Sequence, residues 1–257
     1  VADQIIHGNC WVAYLDILGF KNMLEGHRQV VSNVSEGKRP KHLDLFVKNH
    51  YGDILQAVQT RNECCSDIVF PAWFSDSFIL FSRDDTLESF AHTASFAGDF
   101  FTEAVYREMP LRGALGFGEF YADAQKGIYL GQALVDAHEY AEAQDWIGLI
   151  VTPNAHEAYR QLNDARDILS LEGFLLHDVP FNTHRRLFAY RPTDPTRLGS
   201  MLTSIYGMQT SAQRDHPREY ESKYRQKYER TFAFLKLNAA EVWHRVDPQD
   251  GCPDEGV

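Results

Sequence analysis

The chain has 257 residues, 44% of them hydrophobic and 13% aromatic, enough for one large domain or a domain with an appendage. A formal net charge of −11 lacks the cationic face that a general nucleic-acid binder needs. No apolar run approaches the roughly 20 residues of a membrane span, and the first residues carry no basic-then-apolar signal pattern; neither nucleic acid nor membrane is an expected partner. Cysteine falls at Cys10, Cys64, Cys65 and Cys252, with no CxxC pair, so zinc and a disulfide framework are not expected and a reducing cytoplasm is the simplest setting. His138-Glu139 and His156-Glu157 begin like a zinc-protease helix but lack its second His, and read as ordinary helix residues.

Residues 1–10 read as a lead-in. The stretch WVAYLDILGFK, Trp11 to Lys21, is a short apolar run that ends in Asp and Gly, the pattern of a buried strand leaving through a turn. It puts strand one at 11–16 and a helix start near Leu18. Polar residues 32–42 with Gly and Pro predict a loop. Leu43, Phe46, Val47, Ile54, Leu55 and Val58 recur at helical spacing and predict a helix packed on a sheet. Its Tyr51 is a candidate for stacking on a base while the hydroxyl hydrogen-bonds. Residues 67–82 predict a strand, a tight turn at Ser75-Asp76-Ser77 and a second strand, with Asp76 at the tip.

Leu87, Phe90, Ala94, Phe101 and Val105 give a broad apolar face over 84–108, and Pro110 closes that helix. The glycines of LRGALGFGEFYA, 111–122, do not match a dinucleotide loop. They read as a strand with small residues where another layer packs closely. Arg112 opens that strand and can bridge to a carboxylate or reach a phosphate. A short strand at 127–131, a helix over QALVDAHEYAEAQ, a strand at 148–153 with Asn154 capping the next helix, and a strand pair at 173–179 and 186–191 follow. The order predicts an α+β fold with helices over a mixed sheet.

Pro192 and Pro195 mark a boundary, giving a main domain over 1–192 and a helical extension over 193–246. Within the extension a charged, aromatic helix is expected from Arg218 to Trp243. Its Tyr220, Tyr224, Tyr228, Phe232 and Leu235 form a stripe that must cover something, either its own domain or a second copy. The acidic tail, 247–257, is expected to be disordered.

Asp16 and Asp76 each follow an apolar strand. Neighbouring strands of one sheet would bring their ends together. Two carboxylates there suit a pair of divalent cations about 3.5–4 Å apart and in-line phosphoryl chemistry. The backbone around Leu18, Gly19, Phe20 and Lys21 would then supply amides for the phosphates.

At these residues the chain resembles the class III nucleotidyl cyclases. D-I-L-G-F at Asp16–Phe20, F-S-D at Phe74–Asp76, L-R-G-A-L-G-F-G at Leu111–Gly118 and Y-L-G-Q-A-L-V-D-A at Tyr129–Ala137 follow that family's pattern in order and spacing, over about 11–191. The resemblance implies a ferredoxin-like βαββαβ core. It implies Mn²⁺ or Mg²⁺ ions held by Asp16, Asp76 and the Ile17 carbonyl, and triphosphate oxygens on the turn after Asp16. The implied reaction is attack of the ribose 3′-oxygen on the α-phosphate with release of pyrophosphate, at sites shared across a homodimer.

The departures from the family pattern concern the base and the transition state. The purine-reading Lys of adenylate cyclases falls here on Ala72, with bulky Trp73 next, a candidate for the base pocket. The transition-state Asn and Arg align with Val135 and Glu139. The late Lys-Gly motif falls near Phe181 and Asn182, just before His184, Arg185 and Arg186. Lys21, Arg112 and Arg185 are candidate replacement cations. This combination resembles the pyrimidine cyclases of bacterial Pycsar anti-phage systems, which implies UTP, in preference to CTP, as substrate and a separate effector activated by the cyclic product. A purine cyclase with a divergent pocket and a degenerate cyclase domain that only binds nucleotide or a partner are the alternatives.

Overall fold

In the computed structural model, residues 5–25, 47–61, 63, 67–163, 173–181 and 185–246 are described. The expected loop at 32–42, Leu43 and Phe46 of the first predicted helix, Asn182, His184 and the tail lie outside them.

Eight strands of the described residues form one mixed sheet. The first half of the chain builds β1 (Ile5–Ile17), α1 (Asp53–Arg61), β2 (Val69–Phe74), β3 (Ser77–Ser82), α2 (Leu87–Tyr106) and β4 (Leu111–Asp123). Their order across the sheet is β2-β3-β1-β4, and the pairs β2/β3, β3/β1 and β1/β4 are all antiparallel. That is the ferredoxin-like βαββαβ core expected from the sequence, and the fold is α+β.

The second half adds β5 (Ile128–Leu130), α3 (Gln132–Glu142), β6 (Gly148–Val151), α4 (Pro153–Leu162), β7 (Phe174–Val179) and β8 (Arg185–Tyr190). β6 pairs parallel with β4, β8 pairs antiparallel with β6, and β5 folds back on the end of β4. α5 (Pro195–Asp215) and α6 (Arg225–Val246) close the chain, joined by a short helical turn at Pro217–Glu219 and a wide turn at Tyr220–Tyr224.

β1 is the middle of this arrangement and is longer than expected. Residues 5–10 are strand, because they pair with 118–123 at the far end of β4. Every residue from Cys10 to Ile17 is buried. Trp11 packs edge-on against Phe90 of α2, while Tyr14 meets His138 of α3. A strand covered on both faces reads as an apolar run rather than an alternation, as Trp11 to Leu15 does.

α2 begins on Thr86, whose side chain accepts from the Ser89 amide. It buries Phe90, Phe96, Phe100 and Phe101 against the sheet. α1 buries Ile54, Leu55 and Val58, whereas Val47, assigned to the same face by spacing, is exposed. The wide turn at Val47–Gly52 carries an extra residue and breaks the period there. α4 is capped by Thr152, not Asn154: the Thr152 hydroxyl accepts from Ala155, with Pro153 at the first helical position. Asn154 instead donates to Asp136.

The C-terminal stripe covers its own domain. Tyr220, Tyr228, Phe234 and Leu235 are buried, and Phe234 packs on Trp146 and His177. Phe232 of the predicted stripe is only partly buried, its place taken by Phe234.

Burial holds the His177 imidazole below its ordinary value, against the opposing charge of Asp178. The unfolded chain takes up that proton more readily, so stability is kept above the ordinary imidazole value and lost as pH falls through it. The melting temperature should drop between about pH 7.5 and 5.5, and His177→Phe should flatten that slope. An equally steep slope in the variant would remove His177 as the cause.

Candidate active site

Register brings the site together. On β1, Asp16 lies opposite Arg112 of β4 on one side and Ser77 of β3 on the other. Cross-strand partners face the same way, so the Asp16 carboxylate meets the Arg112 guanidinium. Nε and Nη2 of Arg112 both donate to Asp16 Oδ2 at 3.1 Å. Arg112 also donates to the Glu142 carbonyl at 3.0 Å and forms an ion pair with the Glu142 carboxylate at the end of α3.

The β2–β3 hairpin turns in two residues, Ser75 and Asp76, since Phe74 pairs with Ser77. Ser75 sits at φ 56°, a left-handed conformation costly for a residue with a Cβ. The turn is tied from both sides. Ile17 N–H donates to the Asp76 carbonyl at 3.1 Å, and the Tyr51 hydroxyl donates to the Ser75 carbonyl at 2.8 Å. The backbone of Asp76 therefore sits directly against the residue that follows Asp16.

Burial raises the Asp16 carboxyl above its ordinary value, opposed by Arg112 and reinforced by the negative charges of Glu142 and Asp76. Oδ1 of Asp16 and the carboxylate of Asp76 accept no hydrogen bond among the described residues. Two carboxylates with open oxygens, crowded with like charge, fit a hard divalent cation that takes its remaining ligands from phosphate and water. Among the described residues no third His, Cys, Asp or Glu completes a metal cluster with them.

The turn after Asp16 is partly committed. Leu18 N–H donates to the Pro110 carbonyl at 2.8 Å, so this amide is not open to a phosphate. Gly19 takes φ 75°, and its carbonyl accepts from Asn22 and Met23. Residues 20–25 are helical, so that helix starts two residues later than expected. Lys21 is exposed and 4.0 Å from Glu25.

The other candidates are spread around this centre. Tyr51 is buried with its ring against Phe78 at 5.0 Å; it supports the hairpin turn rather than presenting an open face. Burial, with Asp76 nearby, pushes its hydroxyl up to about 12. Trp73 is 55% exposed and Phe74 is 81% exposed at the end of β2, while Ala72 is buried. Arg185 donates to the Tyr140 hydroxyl at 2.8 Å and lies over that ring; no recorded contact joins it to Asp16 or Asp76. Val135 and Glu139 are on the exposed face of α3.

Sequence reasoning missed Glu142, the second holder of Arg112. It also missed the Tyr14 and Ser77 hydroxyls, which share a 2.7 Å hydrogen bond beside Asp16. No motif marks them; only the β1/β3 register and the end of α3 place them.

No family model and no curated relative matches the chain. Among solved structures it is similar to the adenylyl cyclase CyaB from P. aeruginosa, at 11% identity and a TM-score of 0.46, over 73% of this chain and 94% of that one. It is also similar to the catalytic core of a rhodopsin-guanylyl cyclase with converted specificity, at 12% identity and a TM-score of 0.43, over 75% of this chain and 99% of that one. A third is an adenylate/guanylate cyclase/hydrolase from Silicibacter pomeroyi, at 12% and 0.41, over 72% and 98%. Likeness at these values carries no argument about reaction or substrate.

Proposed function

We propose that this chain is a nucleotidyl cyclase that converts a pyrimidine triphosphate, UTP in preference to CTP, to its 3′,5′-cyclic monophosphate and pyrophosphate. The observation that carries the reading is the joining of Asp16 and Asp76 at adjacent strand ends, through the Ile17–Asp76 backbone hydrogen bond. Divalent ions held there, Mn²⁺ or Mg²⁺, would activate the ribose hydroxyl and neutralise the triphosphate.

The chain's own residues do the rest. Asp16, Asp76 and the Ile17 carbonyl would hold the cations. Gly19, Phe20 and Lys21 receive the outer phosphates, with Leu18 shaping their turn. Arg112, held between Asp16 and Glu142, is the nearest cation to the reacting phosphate once it exchanges a carboxylate for it. Tyr51 fixes the carbonyl of Ser75 and so the direction of Asp76. Trp73 borders the base, where its bulk favours a single ring. Arg185 enters from beside α3.

Trp73, Phe74 and Val135, apolar and exposed, support burial against a second copy, and hence a homodimer. The family resemblance supports a role as second-messenger synthase in anti-phage defence, acting through a separate effector. No helix of the described residues is long and apolar enough to cross a membrane, in keeping with a cytoplasmic enzyme.

One observation favours a second reading. Arg112 already neutralises Asp16, as a nucleotide-binding or partner-binding domain without metals would require. Incubation of the purified protein with Mn²⁺ and each of ATP, GTP, CTP and UTP, read by mass spectrometry, separates the readings. A cyclic pyrimidine monophosphate is the expected product. A cyclic purine would discard the base assignment, and no product with any triphosphate would favour the binding domain.

A further inference from the structure

The C-terminal helices touch the frame of the site at two places. At the first, Asn22 donates to the Glu219 carboxylate at 3.0 Å and to the Tyr224 hydroxyl at 3.4 Å. Tyr224 stands over Gly19 so closely that a Cβ there would lie 3.7 Å from its hydroxyl oxygen. At the second, Thr231 accepts from the Ile147 amide at 2.9 Å. Lys227 and Arg230 both pair with Asp145, three residues beyond the Glu142 that holds Arg112. Between the two contacts is a cavity of about 260 Å³ bordered by Leu18, Gly19, Met23, Met208 and Tyr228.

These contacts fall where a helix begins: the chain is helical from Phe20, and the Gly19 carbonyl accepts from both Asn22 and Met23 in its first turn. Glu219 and Tyr224 lie at the wide helical turn Tyr220–Tyr224, a distortion frequent at functional positions. The buried Tyr220 and Tyr228 anchor that segment on either side.

We propose that the C-terminal helices act in the same chain as a clasp on turn 18–23, with Asn22 and Glu219 as positioning residues, so that phosphate affinity is set from outside the site. The effect on affinity rests on the reading of that turn as the phosphate holder; the clasp itself does not. Anything that displaced the Glu219–Tyr224 segment would weaken triphosphate binding while leaving Asp16 and Asp76 in place.

The test combines hydrogen exchange with steady-state kinetics on the full chain and three variants: Asn22→Ala, Glu219→Ala and Glu219→Gln. Loss of a hydrogen bond to a charged group should speed exchange at the Asn22 and Met23 amides about tenfold in both Ala variants. Glu219→Gln, which keeps an acceptor, should restore protection, and exchange in β1 and β3 should not change. KM for the triphosphate should rise by about the same factor with kcat retained, the mark of a lost uniform binding interaction.

Unchanged exchange at 22 and 23, or equal acceleration throughout the chain, would overturn the clasp. Faster exchange with an unaltered KM would overturn its control of affinity. A wild-type protein inert toward every triphosphate, with the exchange effect present, would support the clasp and remove the cyclase reading instead.

Discussion

Asp16→Asn and Asp76→Asn should each remove cyclic product by a factor on the order of a thousand or more, because metal-assisted charge neutralisation supplies several kcal/mol at the transition state. Neither change should unfold the protein. Asp16 is buried and its carboxyl is raised above the ordinary range by that burial, with Glu142 and Asp76 adding to it. For an acid shifted this way the native state binds more protons than the unfolded one, so ionisation at neutral pH works against stability. Asn keeps the volume and removes that cost, while Arg112 retains Glu142. The melting temperature of Asp16→Asn should therefore match or exceed that of the parent. A variant that is stable and still turns over at the parental rate would end the two-carboxylate mechanism.

The largest effect on folding is expected from Gly131→Ala. Gly131 joins β5 to α3 at φ 142°, and a Cβ there would lie 2.7 Å from the Phe120 Cα and closer still to the Glu119 carbonyl oxygen. Both obstacles are backbone of β4 and cannot rotate away. Strain and overpacking together should cost about 3 kcal/mol or more, read as a shift in the urea midpoint. The damage should reach the site, since α3 ends in Glu142 and Glu142 holds Arg112. Gly127→Ala, whose Cβ would meet nothing within 4 Å, controls for glycine backbone conformation alone, its φ of 65° being positive as well. Equal effects from the two substitutions would show that the close approach to β4 is not the cause.

The core was legible wherever one local pattern decided the outcome. The apolar face of α2, the tight turn that carries Asp76 and the small residues of β4 all followed from composition and spacing, although Ser77, expected in that turn, begins β3. Gly116 shows why the last held: a Cβ there would lie 2.6 Å from the Ala133 carbonyl oxygen of α3. Where an element owes its limits to a distant partner, the sequence was silent. Residues 5–10 are strand only because 118–123 lie beside them. Asp16 and Asp76 were visible because acids at strand ends are conspicuous. The Arg112–Glu142 pair was not, because 30 residues and an intervening hairpin separate the two. Tyr51 was noticed for its ring, yet its hydroxyl makes the contact that bears on the site.

The place of β1 between β3 and β4 has a kinetic consequence. A strand of 13 residues precedes both of its neighbours in the chain, and neither is made when it emerges. Its register with β4 runs from Ile5↔Asp123 to Ile17↔Leu111, so the pairing that seats Asp16 beside Arg112 closes a loop of nearly a hundred residues. Such non-local closure is slow, and until it occurs a strand that ends up buried from Cys10 to Ile17 keeps an open edge, an aggregation hazard. Asp16 and Arg112 can meet only once that strand is sealed, so the site is assembled by the same event that removes the hazard.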